Sequence, residues 1–143
     1  LFKNKLVRIM LIILVSLTLV GVVAFVLVKN YTNQPDPDAP PTIDEIIAQS
    51  FDTQEITTNL LSNDFVRASF RIHVNNKDAL SEIQKRDFQV NNIILRALSG
   101  KRAGDLAGSA GIEAFEADIK EEINQLMQEG EVLRVYTTSW VVQ

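Results

Sequence analysis

Cysteine is absent from the 143-residue chain. That excludes disulfides, zinc–thiolate sites and a thiol nucleophile. Histidine occurs once, as His73, and tryptophan once, as Trp140. Prolines are confined to Pro35, Pro37, Pro40 and Pro41, and no acidic residue precedes Asp36. Four of the 14 basic residues, Lys3, Lys5, Arg8 and Lys29, lie before position 30, which leaves 10 bases against all 18 acids beyond it. The C-terminal part is therefore acidic, with a net charge near −8. Nucleic acid and anionic lipid both require a positive surface, so this part is not suited to either.

What the chain does have is one uninterrupted apolar run, Ile9 to Val28, bracketed by Arg8 and Lys29. A helix of that length spans about 30 Å, the thickness of a bilayer's hydrocarbon core. In lipid the segment must be helical, because no water satisfies exposed backbone groups. Lys3, Lys5 and Arg8 precede the run, and this excess of basic charge favours a cytoplasmic N-terminus. A cleaved signal peptide is the rival reading. Ala24 mimics a cleavage position, but Phe25 to Val28 continue the apolar run past it, which favours an uncleaved anchor. Ser16, Thr18 and Gly21 form no small-xxx-small motif and read as ordinary span content.

The expected organisation is a cytoplasmic tail over 1–8, a transmembrane helix over 9–28, a Pro-rich tether over 29–41 and an extracytoplasmic domain over 42–143. Proline blocks helix and sheet and favours an extended tether at about 3.1 Å per residue, with a plain disordered spacer as the equal alternative. Thr42-Ile43-Asp44-Glu45 reads as a capping box opening a short helix, with Ile43, Ile46 and Ile47 as its apolar face. A strand is expected around 55–60. The next strand is the clearest: Val66, Ala68, Phe70, Ile72 and Val74 alternate with Arg67, Ser69, Arg71 and His73. A long helix follows over about 78–99 with Gly100 as stop. Gly100, Gly104, Gly108 and Gly111 then mark a loop or a broken helical turn. A second long helix is expected over about 112–129, burying Ile112, Phe115, Ile119, Ile123, Leu126 and Met127, with Gly130 ending it. Residues 132–142 read as a strand, but their alternation is poor. That implies cover on both faces or a bulge. The fold class is α+β, a small antiparallel sheet covered by two long helices behind one transmembrane helix.

No pattern supports catalysis. His73 sits between arginines on the polar face of a strand and reads as an exposed surface residue without a nucleophile or further metal ligands. Lys101 and Arg102 lie inside the glycine cluster, but the spacing fits neither the P-loop nor the dinucleotide fingerprint. The acids Glu113, Glu116, Asp118, Glu121 and Glu122 read as a solvated helix face. No enzyme activity, cofactor or metal is expected. Gly104, Gly108, Tyr136 and Trp140 stand as candidate interface positions, with core packing an equal reading of Trp140 beside Tyr136. The residues by themselves lead to an anchored, acidic, protein-binding domain.

Three stretches carry a resemblance. One is Asn92-Ile93-Ile94-Leu95-Arg96-Ala97-Leu98-Ser99-Gly100-Lys101 with Asp105-Leu106 and Gly111. Another is Lys120-Glu121-Glu122-Ile123-Asn124-Gln125-Leu126 followed by Glu129-Gly130-Glu131-Val132. The last is the terminal Val135 to Gln143, ending aromatic-Val-Val-Gln. With these, the chain resembles the flagellar basal-body-associated FliL family. Family members often carry Phe and Glu where Thr137 and Ser139 stand, and Phe at Trp140. The resemblance implies a non-enzymatic protein of the flagellar basal body in the bacterial inner membrane. It implies a stomatin-like (SPFH-like) outer domain that assembles with copies of itself into a ring around the ion-driven stator (MotA/MotB type). The implied effect is to support rotation, torque and swarming. The alternative is a single-pass, membrane-anchored sensor or envelope scaffold that binds another protein.

Overall fold

A computed structural model of the chain describes residues 4–33 and 39–143. The orientation charge Lys3 and the tether prolines Pro35 and Pro37 lie outside the described residues. The chain forms two compact units, one up to Pro40 and one from Pro41 to Gln143.

Among the described residues the first unit holds a single helix, α1 (Lys5–Thr32), of 28 residues. It contains the whole apolar run, buries none of its residues within the protein, and is long and apolar enough to cross a membrane. Its two hydroxyl residues inside the run turn back on their own helix. Ser16 donates to the Ile13 carbonyl at 2.9 Å and Thr18 to that of Leu14 at 2.8 Å. Each hydroxyl is thereby satisfied within its own helix. With no proline before Pro35, the helix continues one turn past Val28, and the Thr32 hydroxyl donates to the Val28 carbonyl.

The second unit opens with α2 (Ile43–Ala48), begun by the expected capping box. The Glu45 N–H donates to Thr42 Oγ1, and the Thr42 N–H donates to the Glu45 carboxylate, both at 3.3 Å. Of its isoleucines only Ile46 is half-buried; Ile43 and Ile47 are exposed. The expected apolar face is therefore largely uncovered.

The sheet is built on β3 (Phe65–Val74), which is antiparallel to all its neighbours. One edge of β3 carries two short strands end to end. β1 (Ser50–Asp52) pairs with Arg71–His73, and β2 (Ile56–Asn59) pairs with Phe65–Ala68. Thr53 bridges the gap: its N–H donates to the Phe70 carbonyl at 2.9 Å and its Oγ1 accepts from the Phe70 N–H at 3.0 Å. The other edge pairs along its length with β4 (Val132–Val142). Register shifts after Ser69 and after His73 leave Thr138 and Leu133 as extra residues on β4. Two bulges, rather than cover on both faces, explain its broken alternation.

The alternating residues Val66, Ala68, Phe70, Ile72 and Val74 are all fully buried, as their spacing dictates. They pack under α3 (Lys77–Lys85), α4 (Asp87–Ser99) and α5 (Gly108–Asn124). The architecture is α+β, with the helices on one face of the sheet.

Two helix expectations need correction. The first long helix is divided at Arg86. A continuous helix would bring Arg86 and Asp87 under the stripe of Ala79 and Ile83. At the break Asp87 is exposed, while Arg86 is half-buried and pairs with Glu82 at 3.0 Å. The second long helix starts at Gly108 rather than near Ile112 and ends at Asn124 rather than Glu129. Leu126 and Met127 follow the helix, and Met127 still packs on the core. Gly130 is not the stop. It lies where the loop crosses the Asn75–Asn76 turn, and a Cβ there would sit 2.7 Å from that of Ala79. The loop is held by Glu82, whose carboxylate accepts from the N–H groups of Gln128 and Glu129 at 2.9 and 2.8 Å.

Candidate interaction surfaces

With the helices on one side, the sheet's other face is set by the odd-numbered residues of β3. Opposite residues in an antiparallel pair share a face. Arg71 therefore stands with Asp52 and Tyr136, His73 with Ser50 and Arg134, and Arg67 with Val141. The Arg71 guanidinium donates to both oxygens of Asp52, at 2.6 and 2.8 Å. That hydrogen-bonded pairing holds the Asp52 carboxyl below its ordinary pKa. Arg67 reaches Glu55 at 3.6 Å. Arg134 instead lies over the Tyr136 ring, 4.6 Å from its centre. Among the described residues no carboxylate pairs with Arg134.

His73 departs from its expected surface position: it is 4% exposed. At this point β3 has a neighbour on both edges, with Ser50 opposite on β1 and Arg134 opposite on β4. Strand alternation puts a residue on the non-helical face but does not say how far its cross-strand neighbours cover it. Its Nε2 has no hydrogen-bond partner, and burial pushes its pKa down.

The four candidate interface positions do not form one surface. Tyr136 lies on the arginine-bearing face. Trp140 lies across the Thr138 bulge on the core face, its ring 6.1 Å from that of Phe115. There it borders a cleft with Ser109 and Glu116 of α5. Gly104, in the 3-10 turn Ala103–Leu106, has nothing near the position of a Cβ, and Gly108 takes a positive φ of 68°. Both are exposed. In the same cluster Lys101 reaches Asp118 at 3.6 Å, so its charge is spent on α5.

Sequence reading missed a groove of about 740 Å³ between α4 and α5, bordered by Phe88, Ile93, Arg96, Glu122 and Leu126. Phe88 is 67% exposed there. The available signal was that Phe88 falls off the Val90–Ile94–Leu98 stripe. Among the described residues no cluster of three or more His, Asp or Glu could hold a metal.

The surfaces thus consist of a lipid-compatible helix, an arginine-bearing sheet face and an acidic helix layer. The sequence pattern described as Flagellar basal body-associated protein FliL matches residues 50–143. The Flagellar protein FliL of Bacillus subtilis (strain 168) is 39% identical over 106 residues, covering 74% of this chain and 76% of that protein. The Flagellar protein FliL of Aquifex aeolicus (strain VF5) is 29% identical over 79 residues, covering 55% of this chain and 49% of that protein. The family match takes in β1 through β4, the whole sheet with its helices, and on that ground the chain belongs to the FliL family of flagellar basal-body-associated proteins.

Proposed function

We propose that this protein is held in the bacterial inner membrane by α1 and displays residues 42–143 outside the cytoplasm. There it associates with the motor's stator units and supports rotation, torque and swarming as a ring of copies. Family membership is the observation that carries this reading. Lys5 and Arg8 ahead of the span support the inside N-terminus. The prolines before α2 support a domain held off the bilayer. The acidic, bulged sheet domain supports a protein partner rather than lipid or nucleic acid.

Deletion of the gene in a flagellated host tests it. Filaments should still assemble, while swarming slows and torque under load falls. Unchanged torque in the deletion strain would refute the reading, and recovery of the protein in a non-flagellar envelope complex would favour the scaffold alternative.

A further inference from the structure

Among the described residues β4 is an edge strand: β3 pairs along one side of it and no strand pairs along the other. Register shows which of its backbone groups point off that free edge. Phe65 and Gln143 exchange both of their backbone hydrogen bonds. Such pairs alternate with pairs whose N–H and C=O groups point away from each other. Val142 opposite Val66 and Trp140 opposite Ala68 are pairs of the second kind. Thr137 is another, because Phe70 opposite it spends both backbone groups on Thr53.

Side chains of α5 take the place of a neighbouring strand over the first part of this edge. Asn124 meets both backbone groups of Val132, and the Glu116 carboxylate accepts from the Thr137 N–H at 2.8 Å. Past the bulge at Thr138 that cover stops. Among the described residues the outward groups of Trp140 and Val142 have no partner. A cleft of about 400 Å³ opens there against α5, bordered by Ser109, Ile112, Glu113 and Trp140.

We infer that residues 139–142 and α5 together form a docking groove for an extended segment of another protein, which adds a strand to β4. Unpaired N–H and C=O groups along a strand edge call for a second backbone, and a helix beside that edge supplies contacts for alternate side chains. Charge sets the chemistry of the segment. The cleft beside Trp140 has Glu113 and Glu116 on its border and no base, and Glu113 is exposed. A lysine or arginine on the added strand would lay its stem along Ile112 and Trp140 and set its charge at Glu113. Farther along, near Leu133, Lys120 and Arg134 border the next cleft with the same two acids, so the basic residue belongs at the Trp140 end. The same charges disfavour a second copy as occupant. Two β4 edges paired with each other would set the acidic α5 of one copy beside that of the other. The inference goes beyond the motor reading and does not depend on it.

The test titrates a fluorescent octapeptide of alternating lysine and valine against the full-length protein in phosphatidylcholine nanodiscs. The peptide should bind, and the amides of Trp140 and Val142 should then exchange hydrogen more slowly. The same peptide with glutamate for lysine should bind at least about tenfold more weakly, as should the lysine peptide with every amide N-methylated. Glu113→Lys, a change at an exposed position, should reverse the charge preference. No binding of the lysine peptide, equal binding of the glutamate peptide, or undiminished binding of the N-methylated one would overturn the inference. So would slowed exchange at those amides without peptide that grows with the number of copies per nanodisc, which would assign the edge to a second copy.

Discussion

Asn124 closes the end of α5 onto the start of β4. Its Oδ1 accepts from the Val132 N–H at 2.6 Å, and its Nδ2 donates to the Val132 carbonyl at 3.1 Å. Val132 is fully buried, so neither backbone group has ready access to water. Asn124→Ala leaves both unpaired and should destabilise the domain by about 2–4 kcal/mol, on the scale of two lost buried hydrogen bonds. Asn124→Asp keeps the acceptor and should cost less. Urea unfolding of the segment from Pro41 onward measures both.

The glycine cluster predicts opposite outcomes at neighbouring positions. At Gly111 a Cβ would stand 2.6 Å from the carbonyl carbon of Leu106 and 2.9 Å from the Asp105 oxygen, and both are backbone atoms that cannot swing aside. Gly111→Ala should cost about 1–3 kcal/mol through overpacking. At Gly104 nothing lies within 4 Å of such a Cβ. Gly104→Ala should leave the thermal midpoint nearly unchanged. Melting curves of the two variants side by side check the contrast.

Acid should weaken the domain in two stages. His73 has its pKa lowered by burial, so the unfolded chain takes up its proton first as pH falls. Stability attributable to His73 is therefore full above the ordinary histidine value near 6.5 and declines below it. Burial is the cause of that lowering, and Arg71 and Arg134 stand on the same face as His73. Asp52 and Glu82 behave as depressed carboxylates, Asp52 through Arg71 and Glu82 through the N–H of Glu129. Their contribution is lost only at lower pH, below the ordinary carboxylate range. His73→Phe should flatten the upper stage of a stability–pH curve and leave the lower stage in place. An unchanged upper slope would count against the burial argument.

The anchor predicts a depth-dependent effect of charge. Leu19→Arg, near the centre of the apolar run, should oppose insertion by about 2.5–3.5 kcal/mol. Leu6→Arg, at the basic end, should have little effect. Alkaline extraction of membranes distinguishes protein that remains embedded from protein that does not.

The β3 strand was legible because its alternation is unbroken and every inward residue meets the core. β4 was not, because its bulges at Leu133 and Thr138 turn a period of two into the uneven inward series Val132, Val135, Thr137, Trp140 and Val142. β1 escaped notice because it has only three residues and follows α2 almost directly. The break at Arg86 was hidden because the apolar stripe resumes on its far side at Val90. The misplacement of His73 has the same origin. Periodicity reports which side of a strand a residue takes, not how far that side is covered, and His73 is 4% exposed. The long apolar helix and the acidic balance of the rest were plain from composition alone.

The most direct test of the motor role is where the full-length protein resides in live cells. A fluorescent fusion at native level should form foci at flagellar bases that disperse when the stator genes are removed. Uniform membrane fluorescence in cells with working stators would contradict the account.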